Sequence, residues 1–322
     1  MGMLVDGRWS DEDRDRSAKS GAFERVESKF RDFVTADGSS GFKAEPGRYH
    51  LFVAHNCPWA HRAVIWRRLK KLEDVISLSM SDRPKAEGWG YSTGIDDVQP
   101  PAGGVFYLHQ LYTTAEPDCT SKVTVPTLWD RRDHIIVNNE SSEIIRMLNG
   151  EFDEWGDASV DLYPEPLQAG IDELNERIYA TINNGVYRCG FAKSQDAYAE
   201  AYHKIFATWD MLEDRLATTR YLAGDRLTEA DWRLFPTLVR FDVVYFSHFK
   251  CNKKRISDYP NLFNYLRELY QVPGIAGTVD IDKIKAGYYG NMRQVNPTGI
   301  VPLGPDIDLT APHDRDRLAR AA

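Results

Sequence analysis

The residue best suited to covalent chemistry is Cys57, because it stands where an apolar strand pattern gives way to a helix pattern. The apolar run at 49–53 predicts a short strand, and apolar residues recur at helical spacing from Pro58 to Leu72. Proline is favoured at the first helical position, so Cys57 is expected at or next to the N-cap. A helix N-terminus stabilises anions and can lower the pKa of a cysteine to roughly 3.5–7.5. We predict that Cys57 is a thiolate nucleophile.

Cys57 has no partner for an internal disulfide in its own motif, since Ala60 occupies the place of the second cysteine of a dithiol oxidoreductase. An external thiol must therefore resolve any mixed disulfide. The chain's other cysteines are scattered, which indicates neither a disulfide framework nor a Cys-X-X-Cys zinc site: Cys119, Cys189 and Cys251. His55 and His61 flank Cys57, but one thiol and two imidazoles in a flexible span make a weak ligand set. We predict no metal.

Composition restricts the class of protein. With 322 residues, 42% hydrophobic and 27% charged, the chain is typical of a globular protein of two domains. Its net charge of −8 gives no basic field for a phosphate backbone, so we expect no nucleic-acid partner. No apolar run approaches the roughly 20 residues of a membrane span, and the first ten residues lack the core of a secretory signal. We expect no membrane association and a cytoplasmic location.

The pattern after Cys57 first continues as an α/β domain. A second strand is expected at 75–80, and the segments 123–129 and 134–137 predict a hairpin. A helix is expected at 141–148. Strands and helices thus share one domain in this half.

Helical spacing dominates the second half of the chain. Thr228 to Asp231 resembles a capping box, which we interpret as purely structural. The helices are expected at 167–184, 196–216, 228–246 and 261–270. The predicted organisation is a polar extension (1–45), an α/β domain (46–150), a linker (151–165), an all-α domain (166–290) and a tail (291–322).

The motif around Cys57 resembles a known family signature. Asn56-Cys57-Pro58-Trp59-Ala60-His61-Arg62 is similar to the active-site sequence of the xi-class glutathione transferases, the glutathionyl-hydroquinone reductases. The resemblance extends over nearly the whole chain after the extension, at 88–91, 124–130, 137–141, 182–187, 248–252 and 296–302.

This resemblance implies a thioredoxin-like N-terminal domain that binds glutathione, an all-helical C-terminal domain that completes the substrate pocket, and a homodimer. In such folds the residue before a cis-proline offers its backbone to glutathione, and Val125-Pro126 matches that place. A proline of an edge strand is the alternative for Pro126. Glu140 and Ser141 match the strand-to-helix junction that holds the γ-glutamyl group, where helix N–H groups bind its carboxylate and Glu140 its ammonium.

The resemblance also assigns residues beside the tripeptide and the quinol ring. Trp89 matches the family tryptophan beside glutathione, and Lys122 stands where relatives often carry an arginine. Within Gly287-Tyr288-Tyr289-Gly290, Tyr289 is an alternative to Tyr288. The family's three quinol-binding tyrosines match Tyr187, Tyr245 and Tyr288.

The predicted function is glutathione-dependent reduction of S-glutathionyl-hydroquinones through a Cys57–glutathione mixed disulfide, resolved by a second glutathione. A broader glutathione thiol transferase or dehydroascorbate reductase would use the same thiolate. A catalytically silent transferase-like module is a third interpretation, and dehalogenation of a chlorinated quinol is a further possible reaction.

Overall fold

The computed structural model describes residues 2–11, 19–82, 86–96, 98–100 and 104–318. The chain forms two compact units. The first comprises the described parts of Met1–Asp15 and Val26–Val160, and the second comprises those of Arg16–Arg25 and Asp161–Ala322. The division after Val160 falls inside the stretch predicted as a linker.

The first unit is built on a mixed four-stranded sheet with strand order β10-β9-β5-β6. Strand β5 pairs in parallel with β6 and antiparallel with β9, and β9 and β10 form the predicted hairpin. Every residue of β5 is buried, as expected for a strand with a neighbour on each side. The strands are β1 (Met3–Val5), β2 (Arg8–Ser10), β3 (Val34–Thr35), β4 (Phe42–Lys43), β5 (Tyr49–Val53), β6 (Ser77–Met80), β7 (Gly90–Tyr91), β8 (Phe106–Tyr107), β9 (Thr127–Asp130) and β10 (Ile135–Asn138).

Three helices in the described part of this unit accompany the sheet: α1 (Pro58–Leu69), α2 (Leu108–Ala115) and α3 (Ser141–Gly150). Helix α1 follows β5 directly, and α3 follows β10. Helices α1 and α3 pack against each other, with Ile65 and Ile144 fully buried. The thioredoxin-like α/β class predicted for this half is confirmed.

The second unit is helical, as predicted. Two π-helical turns interrupt it, Tyr179–Asn183 and Phe241–Tyr245, and its described helices are α4 (Gln168–Ile178), α5 (Gly185–Gly190), α6 (Gln195–Leu216), α7 (Glu229–Arg240), α8 (Pro260–Gln271) and α9 (Ile281–Asn291). Short 3₁₀ turns lie at Glu165–Leu167, Ile256–Asp258, Ala276–Thr278 and Arg315–Leu318. Within the described ranges, no helix combines the length and the apolar character needed to cross a bilayer.

The capping box predicted at the start of α7 is present and buried. Asp231 accepts hydrogen bonds from the Thr228 N–H at 2.8 Å, the Leu222 N–H at 2.9 Å and the Tyr265 hydroxyl at 2.6 Å. Burial raises the pKa of Asp231, although these hydrogen bonds oppose the shift. The motif therefore ties α7 to α8 and the preceding loop, which agrees with its interpretation as structural.

Helices α2, α5 and α9 were not predicted from the sequence. Helix α2 lies between the strand expected at 75–80 and the segment 123–129, where the sequence predicts no element. Helix α5 has only six residues, and α9 carries glycines at Gly287 and Gly290. Short strands also occur in the residues predicted as an extension, where two or three residues are too few for a periodic signal. The domain bounds proposed above remain predictions.

Gly190 at the end of α5 provides a test of the packing in the second unit. A Cβ at Gly190 would lie 2.4 Å from ring atoms of Phe249, whereas a Cβ at Gly170 in α4 would meet nothing within 4 Å. Gly190→Ala should lower the free energy of unfolding by about 1–3 kcal/mol through overpacking. Gly170→Ala should raise it by up to about 1 kcal/mol through helix propensity. Urea denaturation of both variants measures the difference, and equal stabilities would contradict the placement of Phe249 against α5.

Candidate functional site

Cys57 is the N-cap of α1, which confirms the position predicted for it. Its Sγ accepts a hydrogen bond from the Ala60 N–H at 3.5 Å, and Pro58 begins the helix. The side chain is 8% exposed, so it is sheltered but still borders the surface. The sulfur thus lies at the positive end of the helix dipole, where a thiolate is stabilised.

Val125 lies beside Cys57 because of the strand pairing. Strands β5 and β9 are antiparallel, with Phe52 opposite Thr127, so the end of β5 meets the start of β9. The Cys57 thiol donates to the Val125 carbonyl oxygen at 3.3 Å. The peptide bond between Val125 and Pro126 is cis. Since β9 has neighbours on both sides, Pro126 precedes a central strand and is not an edge-strand proline.

Glu140 and Ser141 lie at the N-terminus of α3. The Glu140 carboxylate accepts hydrogen bonds from the Ser142 N–H at 3.1 Å and from the Ser28 hydroxyl at 3.0 Å. Burial alone would raise the pKa of Glu140, but these hydrogen bonds and the charge of Arg62 outweigh it and hold the pKa below its usual value. Glu140 is therefore an oriented, ionised carboxylate at a helix start.

Arg62 connects the two helix starts. Its guanidinium donates to the Ser141 hydroxyl at 3.5 Å and lies 4.7 Å from the centre of the Trp59 ring. Arg62 is on α1, one turn after Cys57, and is 2% exposed. A buried cation here favours the ionised form of nearby carboxylates.

Trp89 and Lys122 lie on loops of the same unit. Trp89 is partly exposed just before β7, and its carbonyl oxygen accepts from the Leu108 N–H at 2.9 Å. Lys122 is partly exposed, and its carbonyl oxygen accepts from the Ser121 hydroxyl. Their approach to glutathione stays a prediction.

The three tyrosines selected from the sequence meet in the second unit. Tyr187 is on α5, Tyr245 ends the second π-helical turn, and Tyr288 is on α9. The Tyr288 hydroxyl lies 2.6 Å from that of Tyr187 and 2.8 Å from that of Tyr245. We call this group the hydroxyl cluster. It contains Tyr288, whereas the hydroxyl of the neighbouring Tyr289 contacts Ser247.

The hydroxyl cluster is buried, and the aromatic ring of Phe249 packs beside it. Burial raises the pKa of both Tyr245 and Tyr288 well above the ordinary value, so these phenols keep their protons. The Phe249 ring centre lies 5.5 Å from those of Tyr187 and Tyr245 and 5.8 Å from that of Tyr288. Such a group can orient a polar aromatic ring by stacking and hydrogen bonding.

Two contributors to these sites were not found from the sequence: Ser28, which holds Glu140, and Phe249, which packs the hydroxyl cluster. Phe249 lies in the segment 248–252, one of those that carry the family resemblance, so the resemblance could have indicated it. Ser28 lies 112 residues from Glu140, and no local pattern marks it.

Among the described residues, no group of three or more His, Cys, Asp or Glu side chains is placed to hold a metal ion. His61 is buried on α1 and His55 is partly exposed in the loop before Cys57. All four cysteines are free thiols.

Comparison with known proteins places the chain among close relatives. Residues 56–151 match the glutathione S-transferase N-terminal domain, and residues 195–268 match the C-terminal domain. The chain is 51% identical to the glutathionyl-hydroquinone reductase YqjG of Escherichia coli K12, covering 98% of this chain and 99% of the relative. It is also 51% identical to the glutathionyl-hydroquinone reductase PcpF of Sphingobium chlorophenolicum, covering 95% and 96%.

Solved structures give the same grouping. A xi-class glutathione transferase from Natrialba magadii is 49% identical, with a TM-score of 0.89 over 99% of this chain and 98% of the other. A glutathione-bound structure of YqjG from Escherichia coli K-12 has a TM-score of 0.87 at 48% identity, over 98% and 99%. With both domain matches and these full-length similarities, the chain belongs to the glutathione transferase family and, within it, to the xi class.

Proposed function

We propose that this protein is a glutathionyl-hydroquinone reductase, which uses glutathione to convert S-glutathionyl-hydroquinones to hydroquinones. The observation that carries the proposal is Cys57 at the start of α1, with its sulfur 3.3 Å from the carbonyl oxygen before a cis-proline. Two relatives that are 51% identical to this chain are named for this reaction.

The proposed cycle begins with attack of the Cys57 thiolate on the sulfur of the glutathionyl-hydroquinone. A mixed disulfide between Cys57 and glutathione forms, and the hydroquinone leaves. A second glutathione thiolate then attacks the mixed disulfide, which yields oxidised glutathione and restores Cys57. Because Ala60 replaces the resolving cysteine of dithiol enzymes, the external thiol has a required role.

We propose that glutathione binds along the edge of the first unit. The Val125 backbone pairs with the cysteinyl part, and the γ-glutamyl carboxylate meets the N-terminus of α3 at Ser141. Glu140 receives the ammonium group, which suits its ionised state. In the same proposal, Trp89 and Lys122 contact the rest of the tripeptide.

The hydroxyl cluster is proposed to receive the quinol ring. Hydroxyls of Tyr187, Tyr245 and Tyr288 can exchange hydrogen bonds with phenolic oxygens, and their low exposure excludes water that would compete. This preference for an aromatic diol favours a quinol reductase over a transferase that acts on small aliphatic disulfides or dehydroascorbate.

Replacement of Cys57 tests the cycle. Cys57→Ala should lower kcat/KM for a glutathionyl-hydroquinone by at least about 1,000-fold, since the covalent route needs this sulfur. Cys119→Ala, which removes another buried free thiol of the same unit, should retain the activity.

The intermediate can be observed directly. Intact mass spectrometry after incubation with a glutathionyl-hydroquinone should find one added glutathionyl group on the wild type and on Cys119→Ala, and none on Cys57→Ala. Full activity of Cys57→Ala would overturn the mechanism. Two results would favour the broader thiol transferase. One is a glutathionyl adduct that forms only with disulfide substrates, and the other is reduction of dehydroascorbate without reduction of the glutathionyl-hydroquinone.

Ser28 tests the proposed ammonium site. Ser28→Ala removes the hydroxyl that donates to Glu140, so the Kd of S-methylglutathione should rise about 3- to 10-fold in calorimetric titration. Ser159→Ala is the matched control, because Ser159 also donates to a carboxylate, that of the partly exposed Asp157. Its Kd should equal that of the wild type. If neither Ser28→Ala nor Glu140→Gln changed the Kd, the assignment of Glu140 would be wrong.

We further propose a homodimer that works in the cytoplasm. A cycle that consumes reduced glutathione and depends on a free thiol suits a reducing compartment, and dimerisation follows from the family resemblance. Light scattering coupled to gel filtration should give twice the 36.8 kDa of the chain. A mass of one chain at micromolar concentration would contradict the dimer.

A further inference from the structure

A short segment near the N-terminus, residues 19–25, belongs to the second unit and packs against the loop between α5 and α6. The Gly21 carbonyl oxygen accepts from the Lys193 N–H at 2.9 Å, and the Ser20 carbonyl oxygen accepts from the Ser194 hydroxyl at 2.7 Å. The Phe23 ring lies 5.3 Å from that of Phe191. Backbone and ring contacts thus hold the segment in place.

The segment ends with Arg25 over the hydroxyl cluster. The guanidinium carbon lies 4.9 Å from the centre of the Tyr187 ring. The Arg25 Nε–H donates to the Asn184 side-chain oxygen at 2.9 Å in a part-buried position. Asn184 directly precedes α5, the helix that carries Tyr187. Asn184 therefore orients the Arg25 guanidinium against α5, the helix that carries Tyr187.

The three tyrosines of the hydroxyl cluster differ in their exposure to solvent. Tyr245 is 0% exposed and Tyr288 is 1% exposed, whereas Tyr187 is 7% exposed and lies next to the cation. The three hydroxyls form one hydrogen-bonded group, in which either member of a pair can be the donor. Tyr187 is the member that a bound molecule can reach most directly, because it is the most exposed of the three.

Charge decides which of the three hydroxyls gives up a proton most easily. Loss of a proton from Tyr245 or Tyr288 places a negative charge in a fully buried position, which the charge of Arg240 opposes only in part. Loss from Tyr187 places the charge beside Arg25, where a partly desolvated cation stabilises it. Tyr187 is then the end of the cluster that can release a proton.

We propose that Arg25 is a positioning residue for cleavage of the carbon–sulfur bond, because it holds Tyr187 and stabilises the negative charge left there when the departing ring is protonated. The proposal rests on the proposed function and deepens it. It assigns a role in the reaction to a residue outside the two domains defined from the sequence.

The step is balanced as follows. The Cys57 thiolate forms a sulfur–sulfur bond with the glutathionyl sulfur while the bond from that sulfur to the ring carbon breaks. The electron pair of the broken bond passes to the ring carbon, which takes a proton from Tyr187. The ring is reduced and the two sulfurs are oxidised to the mixed disulfide. The proton released by the second glutathione thiol restores the one consumed.

Two substrates of the same enzyme separate this role from a general structural one. A glutathionyl-hydroquinone releases a ring carbon that needs a proton, whereas the mixed disulfide of glutathione and 2-mercaptoethanol releases a thiolate that does not. Arg25→Met should lower kcat for the hydroquinone substrate about 10-fold, with KM within about 3-fold of the wild type. Activity with the mixed disulfide should stay within about 2-fold, which also establishes that the variant is folded.

Arg25→Lys and Arg177→Met complete the experiment. Lysine keeps the positive charge, so it should recover most of the kcat lost in Arg25→Met. Arg177 is an exposed residue of α4 in the same unit, and its replacement should change neither activity.

The outcomes are distinct. Equal losses on both substrates, or no loss on the hydroquinone, would overturn the role of Arg25. A wild-type protein that reduces the mixed disulfide but not the hydroquinone would instead overturn the proposed function, and the role of Arg25 with it.

Discussion

The pairing of β5 with β6 on one side and β9 on the other is the constraint on which the first unit depends. Strand β5 lies in the middle of the sheet, and all five of its residues are buried. Its antiparallel register with β9 brings Cys57, just after β5, against Val125, just before β9. The same sheet supports α1 and α3, whose N-termini carry the Cys57 sulfur and the oriented carboxylate of Glu140.

The second unit depends on a different arrangement, in which irregular helices converge on one buried point. Two π-helical turns lie close in sequence to the residues of the hydroxyl cluster, and π-turns occur frequently at functional sites. The Asn183 amide in the first turn donates to the Thr237 hydroxyl of α7 at 2.9 Å. This buried hydrogen bond connects the turn that precedes α5 with α7, which leads into the π-helical turn that ends at Tyr245. The spacing between the hydroxyls of Tyr187 and Tyr245 therefore follows from packing of the unit.

Much of this architecture could be predicted where the signal is local. The sequence of strand, Cys57, Pro58 and helix follows from apolar spacing and from the preference of proline for the first helical position. The hairpin of β9 and β10 and the capping box at Thr228 also depend on neighbouring residues. Helix α5, in contrast, is six residues long, and its start at Gly185 after two asparagines gives no helical signal.

The sequence by itself selected Cys57 as the candidate nucleophile, showed that its motif lacks a second cysteine, and indicated an α/β unit followed by a helical one. Each of these features depends on a few consecutive residues or on apolar residues that recur every two to four positions. Tertiary structure alone decided that Tyr288 joins Tyr187 and Tyr245 while Tyr289 contacts Ser247. It also decided that Ser28 holds Glu140 and that Arg25 lies over Tyr187. These contacts join residues far apart in the chain, and only the packing of whole helices and strands brings such residues together.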